Sequence, residues 1–253
     1  MTDFPLARSA LRSDYMFFYV DWLYIILVVP FVILSMFASF KVQTTFSKYS
    51  KIPSHMGITG AEAARRILDA NGLYDVRIEN IHGNLNDHYD PSQNVIRLSD
   101  SSYANTSAAA IGVAAHEVGH AIQHANNYIP IKIRNAIVPV TNIGSRLSMP
   151  LILLGIILSA FSQFFAYVAY FGVACFSLCV LFQLITLPTE FNASRRAIAA
   201  IRSANILDES EMKGAKKVLS AAAMTYVAAL AVTVMQLLRL LIIVASSTGR
   251  RKN

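Results

Sequence analysis

Three runs of the chain carry no Asp, Glu, Lys or Arg: residues 22–40, 147–189 and 218–238. A helix of roughly 20 apolar residues crosses the hydrocarbon core of a bilayer, so the outer runs are each long enough for one span and the middle run for two. The pattern predicts a first span over 15–40, with Trp22 and Tyr24 where an aromatic belt would sit. It predicts a two-span hairpin over 147–188, turning around 162–168 beside Ser162-Gln163 and stopped by Pro188. A fourth span covers 218–245, where Arg239 either ends the helix or snorkels toward the interface. Residues 1–14 read as a polar leader and 246–253 as a basic tail.

Between the first span and the hairpin, residues 41–146 form a soluble portion with mixed periodicity. Thr59-Gly60-Ala61-Glu62 is a capping box, in which each of Thr59 and Glu62 satisfies a free amide of the other's residue. The helix it opens runs to about Asn71 and stops at Gly72. Val76-Arg77-Ile78 and Val95-Ile96-Arg97-Leu98 alternate as strands do, with turn residues from Tyr89 to Asn94 between them. An Ala-rich helix then begins between Asn105 and Ser107 and ends near Ala125, before Asn126-Asn127 and Pro130. Residues 189–217 are again polar and helical. The fold class is therefore a mainly α membrane protein, with about four transmembrane helices and an α+β soluble portion.

Composition agrees with this pattern. The 253 residues are 55% hydrophobic and only 15% charged, against roughly a quarter charged in a typical soluble domain. A fully soluble enzyme and a disordered chain are both excluded. The net charge of +7 fits juxtamembrane lysines and arginines meeting anionic lipid. No basic stripe interleaved with aromatics points to nucleic acid. Cys175 and Cys179 fall inside an apolar run, where they pack as small hydrophobes. Four spans put 41–146 and 189–217 on one side of the membrane. That side carries three Lys and Arg in 41–60, three in 127–146 and six in 189–217, twelve in all, against five in the two termini. The positive-inside rule then predicts a multi-pass protein of the cell (inner) membrane with the soluble portion facing the cytoplasm.

The chemistry lies in His116-Glu117-Val118-Gly119-His120, an H-E-x-x-H sequence inside the Ala-rich helix. One helical turn sets the two imidazoles about 6 Å apart along the axis on one face, where both can reach one Zn²⁺. Glu117 lies beside that face, placed to take a proton from a water attacking a peptide carbonyl and to return it to the leaving amine. The flanks, Ala108–Ala115 and Ala121-Ile122, are apolar, so without an ion these polar groups would be half buried and unpartnered.

A catalytic zinc needs a third protein ligand and an open position. His124 continues the stripe, but on an unbroken helix it stands about 12 Å from His116 along the axis, too far for one ion. A second-shell or surface role remains for it. The metzincin pattern would place its third histidine where this chain has Asn126. Glu190 is the other candidate: the sole acid between Glu117 and Asp208, directly after the hairpin and on the same side as His116. One turn later, Ser194 is placed to hydrogen-bond a ligand histidine.

The order H-E-x-x-H, membrane hairpin, E-F-N-A-S-R-R-A resembles the gluzincin membrane peptidases, distantly those of the HtpX type. More closely it resembles the bacterial neutral zinc metallopeptidase family of YugP type. F-S-K-Y-S-K, T-G-A-E-A-A-R-R-I-L-D-A-N-G-L, D-H-Y-D-P, A-A-H-E-V-G-H-A-I-Q-H and L-P-T-E-F-N-A-S-R-R-A carry the likeness, over roughly residues 37–240. It implies one Zn²⁺ per chain held by His116, His120 and Glu190, with Glu117 catalytic. Many gluzincins carry Asp where this chain has Ser194. The substrate would be a protein or peptide, membrane proteins included, bound as an added strand along Asn86–Leu98. His88 or Tyr89 is positioned to donate to an oxyanion, and Arg195 to substrate carbonyls, although a solvent-facing turn and snorkelling explain these residues equally well. A membrane scaffold keeping zinc without turnover is the alternative, but a structural site has no need of a base at Glu117.

Overall fold

Thr59 and Ser107 decide where the soluble helices begin. In the computed structural model, which describes residues 21–249, Thr59 Oγ1 accepts from Glu62 N–H while Glu62 reaches back to Thr59 N–H at 2.7 Å. Ser107 Oγ likewise accepts from Ala110 N–H. In chain order the elements are α1 (Val29–Tyr49, entered through a π-turn over Tyr24–Val28), α2 (Gly60–Ala70), β1 (Arg77–Ile81), β2 (His88–Asp90), β3 (Val95–Ser99) and α3 (Asp100–Tyr103). The helices α4 (Ala108–Ala125), α5 (Ile129–Leu158), α6 (Phe164–Ser203) and α7 (Glu209–Gly249) complete the described chain. The leader 1–14, the first residues of span one and residues 250–253 of the basic tail lie outside the described residues.

Four helices are long and apolar enough to cross a membrane: Tyr24–Tyr49, Ile129–Leu158, Phe164–Ser203 and Glu209–Thr248. At most 22% of the most apolar window of each is buried in the protein. Side chains such as Phe37, Ile143, Leu154 and Phe171 are therefore exposed to whatever surrounds the bundle. Large exposed apolar belts are stable only against lipid. This is a mainly helical membrane protein with a small sheet.

Three boundaries differ from the sequence pattern, each for a physical reason. The hairpin turn spans 159–163 and ends at the polar Ser162-Gln163 pair instead of running on to 168, because Ser162 Oγ accepts from Phe164 N–H and α6 starts there. Pro188 does not stop α6, which runs on to Ser203. Proline removes one ladder bond, but among apolar helices the freed backbone has no water to turn to, and neighbouring groups take up the slack. Next to the bond lost at Leu184 O, the Thr189 hydroxyl donates to Ile185 O at 3.0 Å and Thr189 O accepts from Gln123, tying this turn to the one before it and to α4. The third difference is at Arg239. It does not end α7; its guanidinium pairs with Asp21, just before the first span, and lies 5.2 Å from the Tyr24 ring centroid.

The sheet has the order β1-β3-β2, with β1 parallel and β2 antiparallel to β3. Asn94 turns β2 into β3 with φ at 52°, a left-handed conformation that asparagine tolerates. Val95, Ile96, Leu98 and Ser99 of the central strand β3 are buried and Arg97 is half-buried, leaving β1 and β2 as edges. Above the sheet, Ile67 and Leu68 of α2 pack with Ile96, Leu98, Ile111 and Val118. Ile201, Ile206, Met212 and Leu219 close the same core. Segment 189–217 is thus part of the soluble portion's core, not an appendage to it. A separate cluster of Ile152, Ala169, Val173, Leu240 and Val244 ties α5, α6 and α7 together farther along the bundle.

Candidate metal centre

The Ala-rich sequence of α4 makes a narrow helix, and its histidines stand one turn apart with ring centroids 4.8 Å apart and planes at 86°. The hairpin brings α6 back against this face. Gly119 permits the close approach: a Cβ there would lie 2.5 Å from Ala193 O. As a result Glu190 Oε2 sits 3.2 Å from His116 Nε2 and 3.5 Å from His120 Nε2. One donor atom from each of the three residues lies within 4.8 Å of the others. Glu190 is buried, as are His120 and Glu117.

Each imidazole is held from behind. Ser194 Oγ lies 3.1 Å from His116 Nδ1, and Gln123 Oε1 lies 3.0 Å from His120 Nδ1. Gln123 is fully buried and its amide nitrogen donates to Thr189 O at 2.8 Å and to Asn192 Oδ1 at 3.0 Å. That fixes which end of the Gln123 amide faces His120: the oxygen accepts the Nδ1 proton, so the Nε2 lone pair points toward Glu190. Asn192 is anchored in turn by Arg196 Nε at 2.8 Å. Burial alone would disfavour charge on His120, but once protonated the ring also donates Nε2–H to Glu190, and with the nearby Glu117 carboxylate this raises its pKa above the ordinary value. The carboxylates therefore make the centre of the cluster attractive to positive charge. Two imidazole nitrogens and a carboxylate oxygen, with the other ring nitrogens occupied, form a donor set suited to zinc.

A cavity of about 160 Å³ opens onto the cluster, lined by His116, Glu117, Glu190 and Ser194. Its other walls are Val42 from α1, Leu85 and Asp87 from the approach to β2, and Leu219 and Tyr226 from α7. Asp87 is fixed by Ser99, whose N–H donates to Oδ1 at 2.8 Å. Arg134 of α5 reaches the far oxygen of Glu190 at 3.3 Å.

The remaining residues singled out from the sequence lie elsewhere. His124 is exposed, and its ring meets Tyr89 edge-on at 6.1 Å; both line a different cavity near Leu73 and Val76. The Tyr89 hydroxyl is occupied with Asn94 Oδ1 at 3.1 Å. His88 is exposed, its Nδ1 3.0 Å from Asn86 O. Arg195 points outward from α6 and lines no part of the cluster's cavity. Conversely, Gln123, Asn192, Arg134, Asp87 and Tyr226 were not anticipated. Gln123 carried a signal, a polar residue three positions after His120 on an apolar face. Arg134, Asp87 and Tyr226 arrive through tertiary packing that no local pattern announces.

The chain is 48% identical over 231 residues to the Bacillus subtilis (strain 168) protein named "Putative membrane protease YugP", covering 91% of this chain and 100% of that protein. No solved structure matches it. Residues 24–245 match the family described as "Putative neutral zinc metallopeptidase", and the chain belongs to that family.

Proposed function

We propose that the chain is a membrane-embedded zinc endopeptidase of the gluzincin type, with one Zn²⁺ held by His116, His120 and Glu190. The observation that carries this reading is the convergence of these three residues within 4.8 Å, with His116 and Glu190 opening onto one cavity beside the Glu117 carboxylate. A zinc ion there would polarise a peptide carbonyl and lower the pKa of water toward ~7. Glu117 takes the proton of the attacking water and passes it to the leaving amine. Ser194 and Gln123 hold the two ligand imidazoles in the tautomer with a free Nε2 lone pair. Tyr226, on the cavity wall, offers its hydroxyl to the carbonyl oxygen as negative charge grows there. His88 and Tyr89 do not line this cavity.

The substrate is a protein or peptide in extended form. The edge strand β2 offers main-chain partners, and the residues leading into it, Leu85 and Asp87, already line the cavity. The cavity walls also include residues of two membrane-spanning helices, so membrane proteins are within reach. The Lys and Arg count supports a cytoplasmic face for this side, in a protein of the inner membrane.

The test is Glu117→Gln in detergent-solubilised protein, followed by zinc content and cleavage of an unstructured protein substrate. Zinc should stay near one per chain while the cleavage rate falls by about 10²–10⁴-fold, the range for removing a general base. Retained zinc with an unchanged rate would favour a structural metal in a scaffold.

A further inference from the structure

On the outer side of the α1–α7 pair, away from the catalytic cavity, lies a groove of about 470 Å³. Lys41, Thr44 and Lys48 face it from α1, and Lys217, Ser220 and Met224 from α7. The spacings, i, i+3, i+7 on both helices, select one face of each, so the two faces look at one another across the gap. Tyr49 forms the upper wall, with Lys48 Nζ 5.8 Å and Lys217 Nζ 5.9 Å from its ring centroid. The ring itself is fixed, because it lies on Gly214, where a Cβ would come within 2.7 Å of Tyr49 Cδ1. Two ammonium groups from different helices are therefore gathered at one preformed spot, with a third, Lys41, two turns below.

These cations have no acidic counterpart. The chain has no Asp or Glu between Asp21 and Glu62, nor any after Glu211, so both walls are free of carboxylates. No ion pair involves Lys41, Lys48 or Lys217 among the described residues. The groove sits where both helices leave their apolar runs, at the level of the membrane surface. Met224, at the end of its lining, and Phe40, next to Lys41 on α1, are exposed and apolar. Concentrated positive charge, two hydroxyls, and an apolar track leading into the bilayer match one chemistry: a phosphodiester carrying acyl chains.

We infer that this groove binds the headgroup of an anionic phospholipid, with its phosphate between Lys48 and Lys217 and its chains along Met224 and Phe40. Lys41 and Lys217 adjoin Val42 and Val218, which face the catalytic cavity from the same two helices. A bound lipid would therefore brace the wall of that cavity from outside. The assignment is independent of the peptidase reading.

The test uses the full chain in a neutral detergent, titrated with short-chain phosphatidylglycerol while the unfolding midpoint is followed. Short-chain phosphatidylcholine and sodium phosphate are run in parallel, and bound lipid is counted by native mass spectrometry. Phosphatidylglycerol should raise the midpoint saturably, and Lys48→Ala/Lys217→Ala should weaken its apparent affinity at least tenfold. Lys213→Ala/Lys216→Ala removes the same number of charges, both from α7 and outside the groove, and should change the affinity less than twofold. Equal weakening in both double variants would overturn the site in favour of diffuse surface charge. Equal effects of phosphatidylglycerol and phosphatidylcholine, or full stabilisation by sodium phosphate alone, would overturn the anionic-lipid assignment. Should Lys48→Ala/Lys217→Ala lose stability by itself, Lys48→Arg/Lys217→Arg should restore both stability and lipid retention.

Discussion

Gly119→Ala is the smallest change that should open the metal centre without touching a ligand. The added methyl would stand 2.5 Å from Ala193 O, 3.1 Å from Ala193 C and 3.2 Å from Ala193 Cα. All three are backbone atoms of α6, so no rotamer change can relieve the contact. Restoring ordinary contact at 3.4 Å requires 0.9 Å of separation between α4 and α6 at this level. His116 and His120 ride on one helix and Glu190 on the other, three residues from Ala193. A shift of that size is several times the roughly 0.2 Å tolerance of a metal–ligand distance. Overpacking of this kind costs about 1–3 kcal/mol. If ion binding must pull the helices back together, zinc affinity should fall roughly fivefold to 150-fold at 1.4 kcal/mol per tenfold. Competition with a chromophoric chelator in detergent measures this, with circular dichroism to confirm unchanged helix content. Zinc affinity within twofold of wild type would show that the α4–α6 contact does not set the ligand geometry.

Other perturbations separate the roles of neighbouring residues. Glu190→Ala should sharply reduce zinc occupancy while His124→Ala leaves it unchanged, as read by metal analysis of purified protein. Gln123→Ala removes the acceptor on His120 Nδ1 and should weaken zinc binding by about 10–100-fold in a chelator titration, the usual effect of losing such a partner. At the β2–β3 turn, the Ser92 hydroxyl and the amides of Ser92 and Gln93 hold the Asp90 carboxyl down to about 2. Since the unfolded value is near ~3.9, this stabilisation is complete above that pH and is lost as pH falls through about 2. The unfolding midpoint of wild type should therefore exceed that of Asp90→Asn at pH 5, and the gap should close on acidification.

Much of this architecture was legible because lipid enforces a simple pattern. A run without charge must be a span, and the parity of spans alone sends Glu190 to the side of His116. The H-E-x-x-H pair needed only helical periodicity, and the caps at Thr59 and Ser107 only local hydrogen bonding. What escaped was of two kinds. Pro188 misleads because its cost as a helix breaker is set by the surroundings: in water the chain would turn, whereas beside α4 its neighbour Thr189 is supported by Gln123. Arg134, Asp87 and Tyr226 reach the cluster and its cavity from a third helix, a loop and the last helix, and such meetings depend on packing over long sequence separations. Asp21 and Arg239 escaped likewise, paired across 218 residues.

His116 and Glu190 stand 74 positions apart, and the stretch between them contains the whole membrane hairpin. On the proposed ligand set, a nascent chain that has emerged only through α4 has His116, Glu117 and His120 but lacks Glu190. Completion waits until the next two helices have entered the bilayer and α6 has folded back onto α4. Biogenesis thus acts as a licence: a chain that fails to insert cannot assemble the centre. A hydrolase built this way would be silent in the ribosome's vicinity and competent only at its destination.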